Sequence, residues 1–275
     1  MADVTARPAT AADLRAIAEV SRASGLGSTD SGSDPAYVRH LLAHGRVAVA
    51  EEAGVVTGFA TSLPVGGTTM LCDLFVRPDS QSRGAGGALL AEVLPEGVPR
   101  MTFSSRDPRA MALYTRSGMA GRWALFYLRA PGTPGPAPVG VRAAAATAAE
   151  VTALELAWTG VDRGCDHDFW ASRPAGTPFV VSTGDLPVAA GCVAQGEDGI
   201  ALAHLAVSPR ADVVAAVLGA LSAAPKGVLV HLPSAHPAVP VLLGQGYRIE
   251  EYDLFMCGRS GMPGGERGAY SPGMC

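Results

Sequence analysis

Apolar residues recur at helical spacing in two places near the start of the chain. Leu14, Ile17, Ala18 and Val20 follow Thr10, and Tyr37, Val38, Leu41 and Leu42 follow Asp34-Pro35. Each run predicts a helix with one buried face, the first entered through a threonine cap and the second through an Asp-Pro pair. The period then shortens. Val47–Ala50 and Val55–Thr61 predict adjacent strands around a turn at Glu52-Ala53-Gly54. Thr69–Val76 predicts a buried central strand, Gly84–Val93 its helix and Met101–Phe103 the next strand. Asp107-Pro108 opens a further helix that stops at Gly118, and Leu125–Leu128 predicts a final strand. This succession is mixed α/β.

After a Pro/Gly-rich stretch, Pro131–Pro138, the pattern begins again. Thr147-Ala148-Ala149-Glu150-Val151 echoes Thr10-Ala11-Ala12-Asp13-Leu14. Ala203–Pro209 echoes Cys72–Pro78, and Val239–Tyr247 echoes the segment from Ala110 to Met119. Three echoes in one order predict duplication of one fold. The expected domains are 1–130 and 140–257, joined by a linker at 131–139 and followed by an irregular tail at 258–275.

Between the central strand and its helix lies Gln81-Ser82-Arg83-Gly84-Ala85-Gly86-Gly87. A strand, a polar turn and a glycine-rich helix entry make an anion site. The first helical N–H groups lack intrahelical partners, the helix dipole adds positive charge, and glycines admit close approach. The loop has neither the Lys-Ser/Thr of a Walker motif nor the Gly-x-Gly-x-x-Gly fingerprint. Val76-Arg77-Pro78 followed by Gln81-x-x-Gly84-x-Gly86 instead resembles the acyl-CoA pyrophosphate loop of the GCN5-related N-acetyltransferase (GNAT) superfamily. Asp107-x-x-Ala110-x-x-x-Tyr114-x-x-x-Gly118-Met119 resembles that family's Asn-x-x-Ala-x-x-x-Tyr-x-x-x-Gly-Phe segment, with Asp in place of Asn.

The resemblance implies two tandem GNAT folds, each a mixed sheet flanked by helices, and acetyl-CoA or another acyl-CoA as cofactor. It implies main-chain contacts to the cofactor from Gln81, Ser82, Arg83, Gly84, Ala85, Gly86 and Gly87, and from Phe75 and Val76 on the central strand. It assigns Tyr114 the protonation of the departing thiolate. Where many relatives carry a glutamate this chain has Cys72, which leaves Asp73 as the nearby carboxylate for a base. Adjacent strand residues face opposite ways, so Asp73 is no simple substitute for residue 72. The second copy has Arg210-Ala211-Asp212-Val213-Val214 at the loop and Leu242 or Leu243 in place of Tyr114. It reads as a degenerate copy that kept the fold and lost the cofactor. A tandem group within the family keeps the intact loop in its second copy; the reversed order here counts against membership of that group.

Composition narrows the partners. The formal net charge of −4 argues against a general nucleic-acid binder, and no apolar run is long enough to span a bilayer. The N-terminus shows no signal-peptide pattern, so a cytoplasmic protein is expected. Five scattered cysteines without a Cys-x-x-Cys pair predict reduced thiols. The segment Asp162–Trp170 concentrates Asp, His and Trp. Asp166, His167 and Trp170 are candidates for an acceptor pocket, and the competing reading is a helix start capped by Asp166 with Trp170 packed. No metal site is expected there, because no second ligand cluster is evident in the sequence.

The expected function is acyl transfer from CoA to a primary amine of a small molecule, by direct attack in a ternary complex, with the protein a monomer or homodimer. The alternatives are a non-catalytic acyl-CoA sensor or scaffold and a protein or peptide amine acetyltransferase.

Overall fold

The computed structural model describes residues 4–25, 31–196, 198–258 and 274. Packing divides the chain into two units, one built on Met1–Gly121 and the other on Arg122–Phe255.

The first unit contains β1 (Thr5–Pro8), α1 (Leu14–Ala23), α2 (Pro35–His44), β2 (Arg46–Glu52), β3 (Val55–Val65), β4 (Thr68–Val76), α3 (Ala85–Val93), β5 (Arg100–Ser104) and α4 (Pro108–Arg116). Its strands lie in the order β1-β2-β3-β4-β5. The first four pair antiparallel and β4–β5 is parallel, with α3 as the crossover. The helix starts follow from local chemistry. Thr10 and Asp13 form a reciprocal capping box, Asp34 accepts from the Ala36 N–H, and Asp107 accepts from the Arg109 N–H ahead of Pro108. The apolar faces of α1, α2 and α3 bury Ile17, Leu41 and Leu89, and Phe59, Met70 and Met101 of the sheet are buried as well.

The second unit repeats the succession: β6 (Ala120–Arg129), β7 (Val141–Ala145), α5 (Ala148–Thr159), α6 (Gly164–Ser172), β8 (Thr177–Thr183), β9 (Leu186–Gly196), β10 (Gly199–Val207), α7 (Val213–Ser222), β11 (Leu229–Pro233), α8 (Ala238–Gly244) and β12 (Arg248–Cys257). From β7 to β12 the order of strands and helices is that from β1 to β6. The echoes have physical counterparts. Thr147 and Glu150 form a second capping box. Helices α4 and α8 both end in a left-handed glycine, Gly118 at φ 85° and Gly246 at φ 88°. The N–H of Met119 donates to the Tyr114 carbonyl, and that of Tyr247 donates to the Leu242 carbonyl. Leu242, not Leu243, therefore stands where the first copy has Tyr114.

The packing boundary falls at Gly121/Arg122 and not after residue 130. The reason is strand β6, which pairs antiparallel with β11 from Leu229 opposite Arg129 to Pro233 opposite Leu125. Tyr127 donates to Asp253 at 2.8 Å, Arg129 to Glu250 at 2.6 Å, and Trp123 stacks on Phe255. Pro131–Pro138 carries no helix or strand and belongs to the second unit. Met256 and Cys257 at the end of β12 belong to the first unit, where the Gly258 N–H donates to the Arg100 carbonyl. Of the expected tail, only residues 258 and 274 lie within the described residues.

Candidate active site

Strands β4 and β5 pair only from Thr69 opposite Arg100 to Leu71 opposite Thr102, whose hydroxyl donates to the Leu71 carbonyl at 3.0 Å. Immediately beyond, Cys72 is an extra residue. Thr61 pairs with Asp73 and Ser62 with Leu71, which leaves Cys72 without an opposite number on β3. Past this irregularity Leu74 and Val76 border a cleft of about 480 Å³. Its other walls are Gln81, Ser82 and Gly84–Gly87 of the loop, and Asp107–Ala110, Ala112, Leu113 and Arg116 of α4.

Helix α3 enters this cleft with no side chain capping it. Its N-cap is Gly84 at φ +93°, a left-handed conformation that glycine adopts without strain. A Cβ on Gly84 or Gly87 would meet nothing within 4 Å, whereas one on Gly86 would come within 2.9 Å of Leu113 Cδ2. Gly86 is thus where α3 and α4 crowd together, and Gly84 and Gly87 leave room over the helix start. Uncapped amides, the helix dipole and the guanidinium groups of Arg109 and Arg116 along one wall together fit a phosphorylated ligand. Gln81 ties the rim together. Its amide donates to the Val76 carbonyl at 3.1 Å and its side-chain oxygen accepts from Arg109, which also binds Asp107 at 2.9 Å. Arg83 is held by Glu52 at 2.7 Å.

The structure places the other candidates of the first unit as follows. Leu74 and Val76 alternate onto the cleft, which puts Asp73 and Phe75 on the opposite side of β4. There Phe75 lies beside Phe59 and Asp73 is buried. Asp73 Oδ2 accepts from Thr61 on β3 and from Tyr37 of α2 at 3.0 Å. Burial pushes the Asp73 carboxyl up to about 6, against the opposing pull of those two hydroxyls. The sequence pattern marks neither Tyr37 nor Thr61 as a partner of Asp73; Tyr37 falls on the apolar face of its helix. Tyr114 is on α4 but buried, and it is not among the residues lining the cleft.

In the second unit α7 begins differently. Asp212 is its N-cap, and the carboxylate accepts from the N–H groups of Val214 and Ala215 at 2.9 and 3.1 Å. The groups that α3 leaves open are here bonded to a fixed anion.

Asp166, His167 and Trp170 all lie on α6 and are buried. Asp166 does not cap the helix: Arg163 is the N-cap position, and Asp162 accepts from the Gly164 N–H. Asp166 instead accepts from the Arg163 guanidinium at 2.9 Å, which also lies 5.0 Å over the Trp170 ring. Trp170 stacks on His204 of β10. His167 Nε2 and His204 Nε2 meet the two oxygens of Glu155 on α5 at 2.6 and 2.9 Å. Desolvation pushes the Glu155 carboxyl up, but the fields and hydrogen bonds of His204 and His167, with the Arg163 charge, outweigh it and hold the group ionised. Burial lowers His204. Glu155 was missed from sequence; it sits mid-helix with nothing to mark its partners 12 and 49 residues away.

Residues 43–118, all within the first unit, match the family model described as an acetyltransferase (GNAT) domain. The match places an acetyltransferase (GNAT) domain within the first unit. A mycothiol acetyltransferase of Rhodococcus jostii is 38% identical over 135 residues, 47% of this chain and 41% of that protein. The chain thus spans about two fifths of the length of this curated relative. A candidate acetyltransferase structure from Pyrococcus horikoshii superposes with a TM-score of 0.74 over 98% of this chain and 93% of that one, at 14% identity. A tandem GNAT protein from the clavulanic acid biosynthesis pathway gives 0.62 over 95% and 100%, at 15% identity. These two likenesses establish the fold. Among the described residues no helix is long and apolar enough to cross a membrane.

Proposed function

We propose that the first unit binds acetyl-CoA, or a close acyl-CoA, and transfers the acyl group to the amine of a small molecule. The observation that carries this reading is the uncapped start of α3 inside the cleft, bordered by Arg109 and Arg116. The loop residues Gln81–Gly87 would hold the phosphates, with Val76 beside the arm of the cofactor. When bound, the cofactor supplies an activated acyl thioester. In this reading Asp73, raised by burial to about 6, is the proton acceptor, a role that requires the amine to reach it on the face of β4 opposite the cleft lining. In the same reading Tyr114 donates a proton to the leaving sulfur. That role requires its hydroxyl to reach the reacting end of the cleft.

The capped α7 supports a second copy that keeps the fold without the cofactor. The curated relative's name, a mycothiol acetyltransferase, supports a small-molecule acceptor, and it runs against the expectation from loop order that this chain stands outside the group with the intact loop in its second copy. Calorimetry of the purified chain with acetyl-CoA, beside the Gly84→Glu variant, tests the proposal. One binding event per chain, lost in the variant, is expected. Two events would mean that the second unit also binds cofactor, and no binding would overturn the reading. If binding occurs but no amine releases free CoA thiol, the protein is an acyl-CoA sensor.

A further inference from the structure

We infer that Glu155, His167 and His204 form a binding site for a zinc-class divalent ion inside the second unit. The inference is independent of the acyltransferase reading. Three elements, α5, α6 and β10, converge on one point. One donor atom from each residue, a carboxylate oxygen and two imidazole nitrogens, lies within 4.8 Å of the others. All three side chains are buried, with Glu155 at 4%, His167 at 1% and His204 at 5% exposure. Two imidazoles and one carboxylate are a borderline-hard N/O set, suited to zinc and its first-row neighbours and not to thiophilic ions.

The two imidazole nitrogens that face Glu155 meet its two carboxylate oxygens, one each, and a neutral imidazole is the form that ligates metals. Among the described residues, His167 Nδ1 and His204 Nδ1 are buried without a hydrogen-bond partner.

The nitrogen–oxygen separations of 2.6 and 2.9 Å are those of a hydrogen-bonded, ion-free cluster. Ligands on a tetrahedral zinc ion stand about 3.3 Å apart, so the ion would spread the donors by roughly 0.5 Å, within the reach of side-chain rotation. The surroundings are closed: Trp170 covers the His204 ring, and none of the three ligands lines the cleft of the first unit. The site therefore fits a structural pin joining α5 and α6 to β10, with water as the remaining ligand.

The test uses the untagged full-length chain, stripped with chelator and titrated with Co²⁺ and then Zn²⁺. One equivalent of Co²⁺ should develop the visible absorption of a tetrahedral N/O site, Zn²⁺ should displace it, and the melting temperature of the loaded chain should rise by several degrees. His167→Gln and His204→Gln should each abolish the absorption. A sulfur-to-cobalt charge-transfer band would place the ion on cysteine and overturn the assignment, as would a spectrum that survives both substitutions. If the variants do not fold, the wild-type titration decides alone. No absorption and an unchanged melting temperature would reduce the cluster to a hydrogen-bonded network.

Discussion

Gly84 and Asp212 occupy the same place in the two units, the residue before the helix that follows the central strand, and they finish that helix in opposite ways. Gly84 leaves the amides of α3 bare, while Asp212 lays a carboxylate across those of α7 at 2.9 and 3.1 Å. An uncapped helix start suits a phosphate, and one already bonded to a carboxylate does not.

Transplanting the difference should transplant the property. Gly84→Asp is expected to weaken acetyl-CoA binding at least ~10-fold, by adding a like charge and an internal competitor for the amides. Gly84→Ala is the control, because it strains the left-handed backbone at a cost of about 1 kcal/mol in stability yet leaves the amides free. Calorimetry and thermal melts separate the two effects. Equal loss of affinity in both variants would mean that backbone shape, not the open helix start, is what the ligand needs.

The parts of this fold legible in sequence are those decided within a few residues. Thr10, Asp34-Pro35 and Asp107-Pro108 mark helix starts that the structure confirms, and Thr147, the echo of Thr10, caps the corresponding helix of the second unit. The glycine loop was legible for the same reason, since an open helix N-terminus is a local property. What could not be read depends on partners distant in sequence. Strand β6 was recognised as a strand, but only its pairing with β11, about a hundred residues on, shows that it belongs with the second unit. Asp73 was named, yet the hydroxyls that set its chemistry come from residues 36 and 12 positions away. The expectation of no metal site rested on the lack of a second ligand cluster in the sequence, and the fold brings Glu155 and His204 to His167.

The buried Asp73 should leave a signature in stability against pH. Its folded-state pKa, about 6, lies above the unfolded value of 3.8. Between those values the native state holds more protons than the unfolded chain, so this group's contribution falls as pH rises and levels off above about 6. The shift corresponds to at most about 3 kcal/mol. Asp73→Asn still accepts from Tyr37 and Thr61, so it should be more stable than wild type at pH 7 and level with it near pH 4. Denaturant melts across that range are the measurement, and parallel wild-type and variant curves would show that Asp73 is not desolvated.

Tyr37 and Thr61 bear on the same carboxyl through catalysis. Both hydrogen bonds favour the ionised form, so Tyr37→Phe should raise the Asp73 pKa further. If Asp73 accepts the proton of the amine, the acid limb of kcat/KM moves to higher pH by up to about one unit, with the plateau rate little changed. An acid limb that stays in place while the fold is intact would remove Asp73 from proton transfer and favour a water chain.

In the second unit, Arg163 and Asp166 form a buried ion pair, with side chains 3% and 8% exposed, and the guanidinium also lies over Trp170. Removing one member of such a pair leaves an uncompensated charge where water cannot reach it. Asp166→Ala and Arg163→Met should therefore each destabilise the second unit by about 3 kcal/mol. In the double variant neither charge remains, so its cost should fall short of the sum by about 1–3 kcal/mol. Arg163 should retain some cost of its own in the double variant, since Met replaces the aliphatic stem but not the cation over the indole. The comparison needs the unfolding transition of the second unit, followed by Trp170 fluorescence in denaturant. Strict additivity would show that the two residues act separately, with Asp166 tied mainly to some group other than Arg163.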